Sequence, residues 1–207
     1  MFPQSNPSFA VAVLTIVFGF STAAGGAPTA SKAPGTYSDW HDVDKVTIER
    51  PFRFSDYKRV IVAPMNTRDA RIPPPGENTY ALAKEMQSKC DQLFYEGVRQ
   101  KLAGTSVQVT QDRGVRSDGV ATLLVRSKLD RLDPGSVAAR MWAAGAAGSA
   151  QSTISGEIVD AQTSQVLVRF RQERRAMMRM IWQRESILLS NTVQQIGGDV
   201  AELMKAF

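Results

Sequence analysis

The sequence predicts an α/β fold of the α+β kind: a small mixed, mostly antiparallel sheet, with a long helix after the first strand and a C-terminal helix packed on it. Three patterns carry this. Lys58 to Met65, KRVIVAPM, is a short β-branched run closed by Pro64. Residues 153–171 alternate apolar and polar side chains on either side of a polar turn, the period of a half-buried strand pair. Leu189, Val193, Ile196, Val200, Leu203 and Phe207 recur at steps of four, three, four, three and four, the period of a helix with one buried stripe.

The chain has 207 residues, 43% of them hydrophobic and 22% charged, which is the composition of a globular protein. Its first segment reads differently. Phe9 to Phe20, FAVAVLTIVFGF, is an uninterrupted apolar run followed by Ser21, Thr22, Ala23 and Ala24. That outline is a signal peptide, and the run falls short of the roughly 20 residues that cross a bilayer. Ser21 and Ala23 occupy the small-residue positions before a cut, so residues 1–23 are expected to be removed, with an uncleaved anchor as the alternative. Residues 24–49, rich in Pro, Gly, Ser and Thr at their start, read as a linker. Residues 50–207 are then one domain, large enough to bury roughly two-thirds of the surface its unfolded chain exposes.

Within that domain the strand at 58–65 comes first, and Pro64 marks its exit. Pro73, Pro74, Pro75 and Gly76 break the chain before Asn78 and Thr79, either of which can cap a helix running to about Ala103, with Gly104 as its stop. Leu82, Met86, Cys90, Leu93, Gly97 and Leu102 approximate its buried stripe, so Cys90 reads as core. Ser106 to Thr110 is a short strand. Val120 to Leu132 is a longer one, with Leu123, Val125 and Leu129 on one face and Arg126, Lys128 and Asp130 on the other. Ile154, Gly156 and Ile158, then Val168 and Phe170, set the inward faces of a hairpin that turns at Asp160 to Ser164. Gly197 and Gly198 interrupt the last helix at about 1 kcal/mol each relative to alanine, so a kink or a close approach to the sheet is expected there.

The sequence excludes several chemistries. His41 is the single histidine and Cys90 the single cysteine, so no His/Cys metal cluster is expected, and a Ser-His or Cys-His nucleophile would have to take its base from the presumed linker that holds His41. Residues 143–150, AAGAAGSA, lack the Lys-Ser/Thr pair of a phosphate-binding loop and the spacing of a dinucleotide fingerprint. No cofactor and no metal are expected. Asp130, Asp133, Glu157 and Asp160 read as exposed strand and turn residues, although their number leaves a general acid and base pair open.

The mature part keeps all 25 basic and 20 acidic residues and a net charge of +5, which suits an anionic partner. The densest charge lies in Arg169, Arg171, Arg174, Arg175 and Arg179, interleaved further on with Met177, Met178, Met180 and Trp182. Arginine forks bind carboxylate or phosphate bidentately, and a Met/Trp cluster can touch an apolar surface. Arg169, Arg171, Arg174, Arg175, Arg179 and Trp182 are therefore the expected partner-binding residues. The alternative is a solvated strand edge and loop over a buried Met/Trp cluster. No nucleic-acid motif is present, so nucleic acid is not the expected partner.

MWAAGAAGSA, STISGEIVDAQTSQVLVRF and TVQQIGGDVAELMKAF resemble uncharacterised bacterial envelope families known as domains of unknown function, whose members are short, exported and often lipid-anchored. In those families a Gly-rich stretch leads into a strand ending in Asp, then two residues, Thr-Gly and a second strand. Asp160 and Thr163 match, while Ser164 stands at the glycine. The resemblance implies a fold similar to the amino-terminal domain of TolB and to curli-secretion lipoproteins. The acylated cysteine of lipid-anchored members has no counterpart here. The expected protein is periplasmic or secreted, non-catalytic, without a transmembrane span once mature, and engaged with an envelope protein or an anionic surface. The alternatives are a hydrolase or transferase acting on an envelope polymer, and a structural protein that forms homo-oligomers through its sheet edge.

Overall fold

The computed structural model describes residues 33–112, 118–135, 148–176 and 185–207. Strands β1 (Gly35–Trp40), β2 (Val43–Ile48) and β3 (Arg59–Val62) precede helix α1 (Tyr80–Leu102). Strands β4 (Gln108–Gln111), β5 (Thr122–Asp133), β6 (Gln151–Asp160) and β7 (Val166–Arg175) follow, and helix α2 (Glu185–Lys205) ends the chain. The seven strands form one sheet in the order β1-β2-β7-β6-β5-β3-β4. Its pairings are antiparallel except β3–β4 and β3–β5, which are parallel. The expected mixed, mostly antiparallel sheet with its two helices is therefore present.

Both helices lie on one face. α1 rests on β4 and β5, α2 on β2, β6 and β7, and the two helices pack along each other. Val60 and Val62, Leu123 and Val125, Ile154 and Ile158, Val168 and Phe170, and Val46 and Ile48 point toward them, as period-two alternation requires. Phe94, Val98, Leu189, Val193, Ile196 and Val200 close the core from the helix side.

The expected linker is overturned from Gly35 onward. β1 and β2 form a hairpin, and β2 pairs with β7 from Lys45↔Arg171 to Ile48↔Val168. Its turn residues, His41 and Asp42, both have left-handed φ of 50° and 61°, the backbone of a two-residue hairpin turn usually built with Asn-Gly. Asp39, with φ of 50°, is left unpaired in a register that runs unshifted from Ser38↔Lys45 to Trp40↔Val43. Neither feature has its usual sequence marker, and an edge strand with one buried residue shows no alternation. The hairpin is fastened by aromatic contacts: Trp40 meets Phe207 edge-on at 5.0 Å, and Phe207 stacks on Phe52 at 4.5 Å. The chain's last residue thus packs on its first described strand.

The glycines of α2 approach α1, not the sheet as expected. A Cβ on Gly97 would lie 2.0 Å from the Gln194 carbonyl oxygen, and one on Gly197 would lie 2.2 Å from that of Phe94. Each glycine admits the other helix's backbone. This contact also shifts the buried stripe of α1: Ala83, Phe94 and Val98 join Met86, Cys90, Gly97 and Leu102, while Leu82 and Leu93 are half-buried. α1 has two neighbours to satisfy, and a single stripe describes one. Its ends fall where expected, with Thr79 at the N-cap position, though without a side-chain capping hydrogen bond, and Gly104 after the C-cap with φ of 86°.

Candidate functional site

With both helices on one face, no helix among the described residues covers the opposite face of the central strands, which carries the outward residues. Strand register sets them in rows. Arg126, Glu157, Arg169 and Thr47 lie side by side across β5, β6, β7 and β2. Two residues along, Lys128, Ser155, Arg171 and Lys45 do the same. Toward the opposite ends of the strands this face becomes apolar, with Ile61, Leu124 and Val159 buried among Ala63, Ala161 and Val166. A recess of about 370 Å³ is lined by Arg126, Lys128, Ser155, Glu157 and Arg169. Its floor is backbone: Gly156 has no side chain, and the ring of Phe170 occupies the space a Cβ there would take, at 2.5 Å.

Carboxylates answer most of these cations. Arg169 pairs with Glu157 and, at 3.2 Å, with Glu49. Arg171 reaches Asp130 at 3.9 Å, and Lys128 reaches Asp69 at 3.5 Å. Arg126 and Lys45 have no ion pair among the described residues. Exposed pairs of this kind contribute about 0–1 kcal/mol each, so a partner presenting carboxylates or phosphates can exchange into them at little cost. The exposed large apolar side chain among the described residues is Ile187 on α2, so what this face offers is charge and hydrogen bonds.

The arginines expected to act together are separated. Arg169 and Arg171 share the open face. Arg175, also outward, lies at the end of β7 and pairs with Glu173 at 2.9 Å. Arg174 points the other way, toward α2, and binds Asp199 through two hydrogen bonds of 2.7 Å. Alternation along β7 explains the split, because adjacent residues face opposite sides. Arg179 and Trp182 lie outside the described residues, as do Met177, Met178 and Met180.

Arg174 belongs to a network that the sequence did not announce. The buried Gln172 donates to the Asp42 carbonyl at 2.8 Å and to Asp199 at 2.9 Å, and accepts from the Asp44 N–H at 2.7 Å. Asp199 thereby ties α2 to β7 and, through Gln172, to the left-handed turn of the first hairpin. Both the Asp42 carbonyl and the Asp44 N–H that flank the end of that turn are thus held from the core. The one sequence signal was a polar residue, Gln172, at an inward position of β7.

The candidate carboxylates also have structural partners. Asp133 accepts from Arg131 at 2.8 Å and from the Gly135 N–H at 2.9 Å. Asp160 accepts from the N–H groups of Gln162 and Thr163, from the Thr163 hydroxyl and, at 2.8 Å, from Tyr57. Burial pushes the Asp160 carboxyl up, but those four donors outweigh it and hold the group below the usual carboxylate range. The buried Tyr57 hydroxyl is pushed well up, by desolvation first and then by Asp160. Cys90 is fully buried, and desolvation, followed by the nearby Asp91, pushes its thiol up to about 12. No group of three or more His, Cys, Asp or Glu residues is placed to hold a metal among the described residues, and no described helix is long and apolar enough to cross a membrane.

No protein-family model matches this chain, and no curated protein sequence does. Among solved structures, the chain is similar to PelC from Paraburkholderia phytofirmans, crystallised as a dodecamer, at 10% identity over 74% of this chain and 96% of that one, with a TM-score of 0.47. A DUF330 protein from Xanthomonas campestris matches at 10% identity over 70% of this chain and 82% of that one, with a TM-score of 0.42. A hypothetical protein from Chlamydia trachomatis matches at 10% identity over 72% of this chain and 99% of that one, with a TM-score of 0.39. The neighbours thus include a bacterial domain-of-unknown-function protein and a hypothetical one. No activity is taken from them.

Proposed function

We propose that this chain is an exported accessory protein of the bacterial envelope, without catalysis of its own, which binds an anionic partner through the open face of its sheet. The observation that carries the reading is the arrangement of that face. Arg126, Lys128, Arg169, Arg171 and Lys45 stand in two adjacent rows with Thr47 and Ser155, and no helix among the described residues covers them. A solvated face needs no such concentration of guanidinium groups, whose forks match carboxylate and phosphate. The apolar run from Phe9 to Phe20 supports export, and with it an envelope protein or an anionic envelope surface as the partner.

Crosslinking in intact cells, with capture through the domain, is expected to recover an envelope component, and mass spectrometry is expected to find a mature N-terminus near Ala24. Full-length protein dissolved in the cytosol, crosslinked to cytoplasmic proteins alone, would overturn the proposal. Replacing Arg169 and Arg171 by Ser is expected to reduce capture, with a larger effect at low ionic strength than at high.

A further inference from the structure

A second recess, of about 680 Å³, lies where β5 ends, β6 and α1 begin and β7 stops, with Asn78, Thr79, Arg131, Gln151 and Arg175 in its walls. Three independent features meet there. First, α1 is 23 residues long, yet its N-cap Thr79 makes no side-chain capping hydrogen bond and its first turn holds no acid. The opening N–H groups of a helix have no intrahelical acceptor and carry a partial positive charge, which a negatively charged group normally answers.

Second, Gln151 is 8% exposed and lines the recess, and its side-chain amide has no hydrogen-bond partner among the described residues. That amide opens onto the recess, so a hydrogen-bonding group lodged there can pair with it. Third, the charges of the walls are unequally engaged. Asp133 has both oxygens occupied, by Arg131 and by the Gly135 N–H, so that pair is closed on itself. Arg175 is 69% exposed at its side chain and, among the described residues, is bound only to Glu173 on its own strand, so its guanidinium can turn inward. Glu77, also in the wall and exposed, opposes an anion and limits its affinity.

We propose that this recess is an oxyanion site, taking a carboxylate or phosphate group of a small polar ligand between the start of α1, the Gln151 amide and the Arg175 guanidinium. The site shares no proposed binding residue with the rows of the open face, and it stands whether or not the protein is exported.

Isotope-labelled full-length chain titrated with inorganic phosphate, and separately with acetate, at fixed ionic strength tests it by the amide resonances of Ala81, Leu82 and the Gln151 side chain. Saturable shifts confined to those groups are expected with at least one probe, and the probe that saturates identifies the anion. Arg175→Gln is expected to weaken binding roughly tenfold, the effect of losing one charge-assisted fork. Glu77→Gln is expected to tighten it. Gln151→Glu keeps the size of the side chain and sets a carboxylate in the anion's place, so it is expected to abolish binding while the chain stays folded. Shifts that stay linear with concentration, or saturable shifts unchanged in Arg175→Gln and Gln151→Glu, mean an adventitious ion only and overturn the proposal. Neither result bears on capture through Arg169 and Arg171.

Discussion

The two faces of the sheet are built to different rules. On the helix side, shape decides: backbone approaches backbone at Gly97 and Gly197, and Gln172 and Asp199 are hydrogen-bonded to each other, to Arg174 and to the first hairpin. On the open side, charges meet in exposed pairs of 3.2–3.9 Å, and Arg126 and Lys45 have none among the described residues. Stability is concentrated on one face, and exchangeable chemistry on the other. Substitutions that separate these two currencies test whether the division is real.

The largest effects are expected between the helices. Gly97→Ala or Gly197→Ala forces a methyl onto a carbonyl oxygen of the facing helix, and backbone cannot yield without parting the pair. About 3 kcal/mol or more is expected, read as a fall in the denaturation midpoint. Gly198→Ala is the control. Its Cβ would meet the flexible Lys101 side chain at 3.2 Å, so helix propensity prevails and stability is expected to hold or rise by up to about 1 kcal/mol. Equal losses at all three glycines would mean that helix kinking, not close approach, is what they provide.

Next comes the network that joins this face to the first hairpin. Asp199→Ala leaves Arg174 unpaired and strips an acceptor from Gln172, so about 2–3 kcal/mol is expected from urea titration, with hydrogen exchange in β1 and β2 rising first. If exchange rises uniformly instead, the hairpin turn is held by its aromatic contacts and not by Gln172.

Smaller effects are expected where the strands turn. Asp160 has its folded-state pKa depressed below the unfolded value near 3.9. Its contribution is therefore complete above that value and lost as the pH falls through the folded pKa. Asp160→Asn is expected to cost about 1 kcal/mol at pH 7, and the difference from wild type is expected to shrink as the solution is acidified below about pH 4. A gap that stays constant with pH would place the effect in the turn backbone and not in the charge. In the same turn Ser164 sits at φ of 58°, so Ser164→Gly is expected to stabilise by about 0.5–1 kcal/mol.

The same contrast between faces explains what was legible in the sequence. The β6–β7 hairpin and α2 could be read because one side of each is dry: Ile154, Ile158, Val168, Leu189 and Val193 must recur at the element's own period. β1 lies at the sheet edge with mostly exposed residues, and its turn uses His41 and Asp42 at left-handed φ where Asn-Gly would have signalled it, so it passed for linker. The arginines were legible as a cluster in sequence but not as a surface, because alternation along β7 sends Arg174 to Asp199 and leaves Arg169 and Arg171 outside. Asp199, 25 residues from Arg174 in the chain, left no local mark. The recess at the start of α1 was equally hidden, since it is assembled from four elements that come together only once the sheet has formed.

The smallest change in stability is expected for Arg169→Ser with Arg171→Ser, and that smallness is what sharpens the division of the two faces. Both arginine side chains are more than half exposed, and their partners Glu49, Glu157 and Asp130 are all open to solvent in part. Their contribution is then about 0–1 kcal/mol for each pair, partly offset because two long side chains are no longer held in one geometry. Added salt should narrow even that difference. Glu157, less exposed than Glu49, loses a close guanidinium, so Glu157→Gln on the double variant is expected to restore the wild-type midpoint. A loss well beyond 2 kcal/mol that Glu157→Gln does not restore would show that these arginines hold the sheet together, and that the open face is as structural as the covered one.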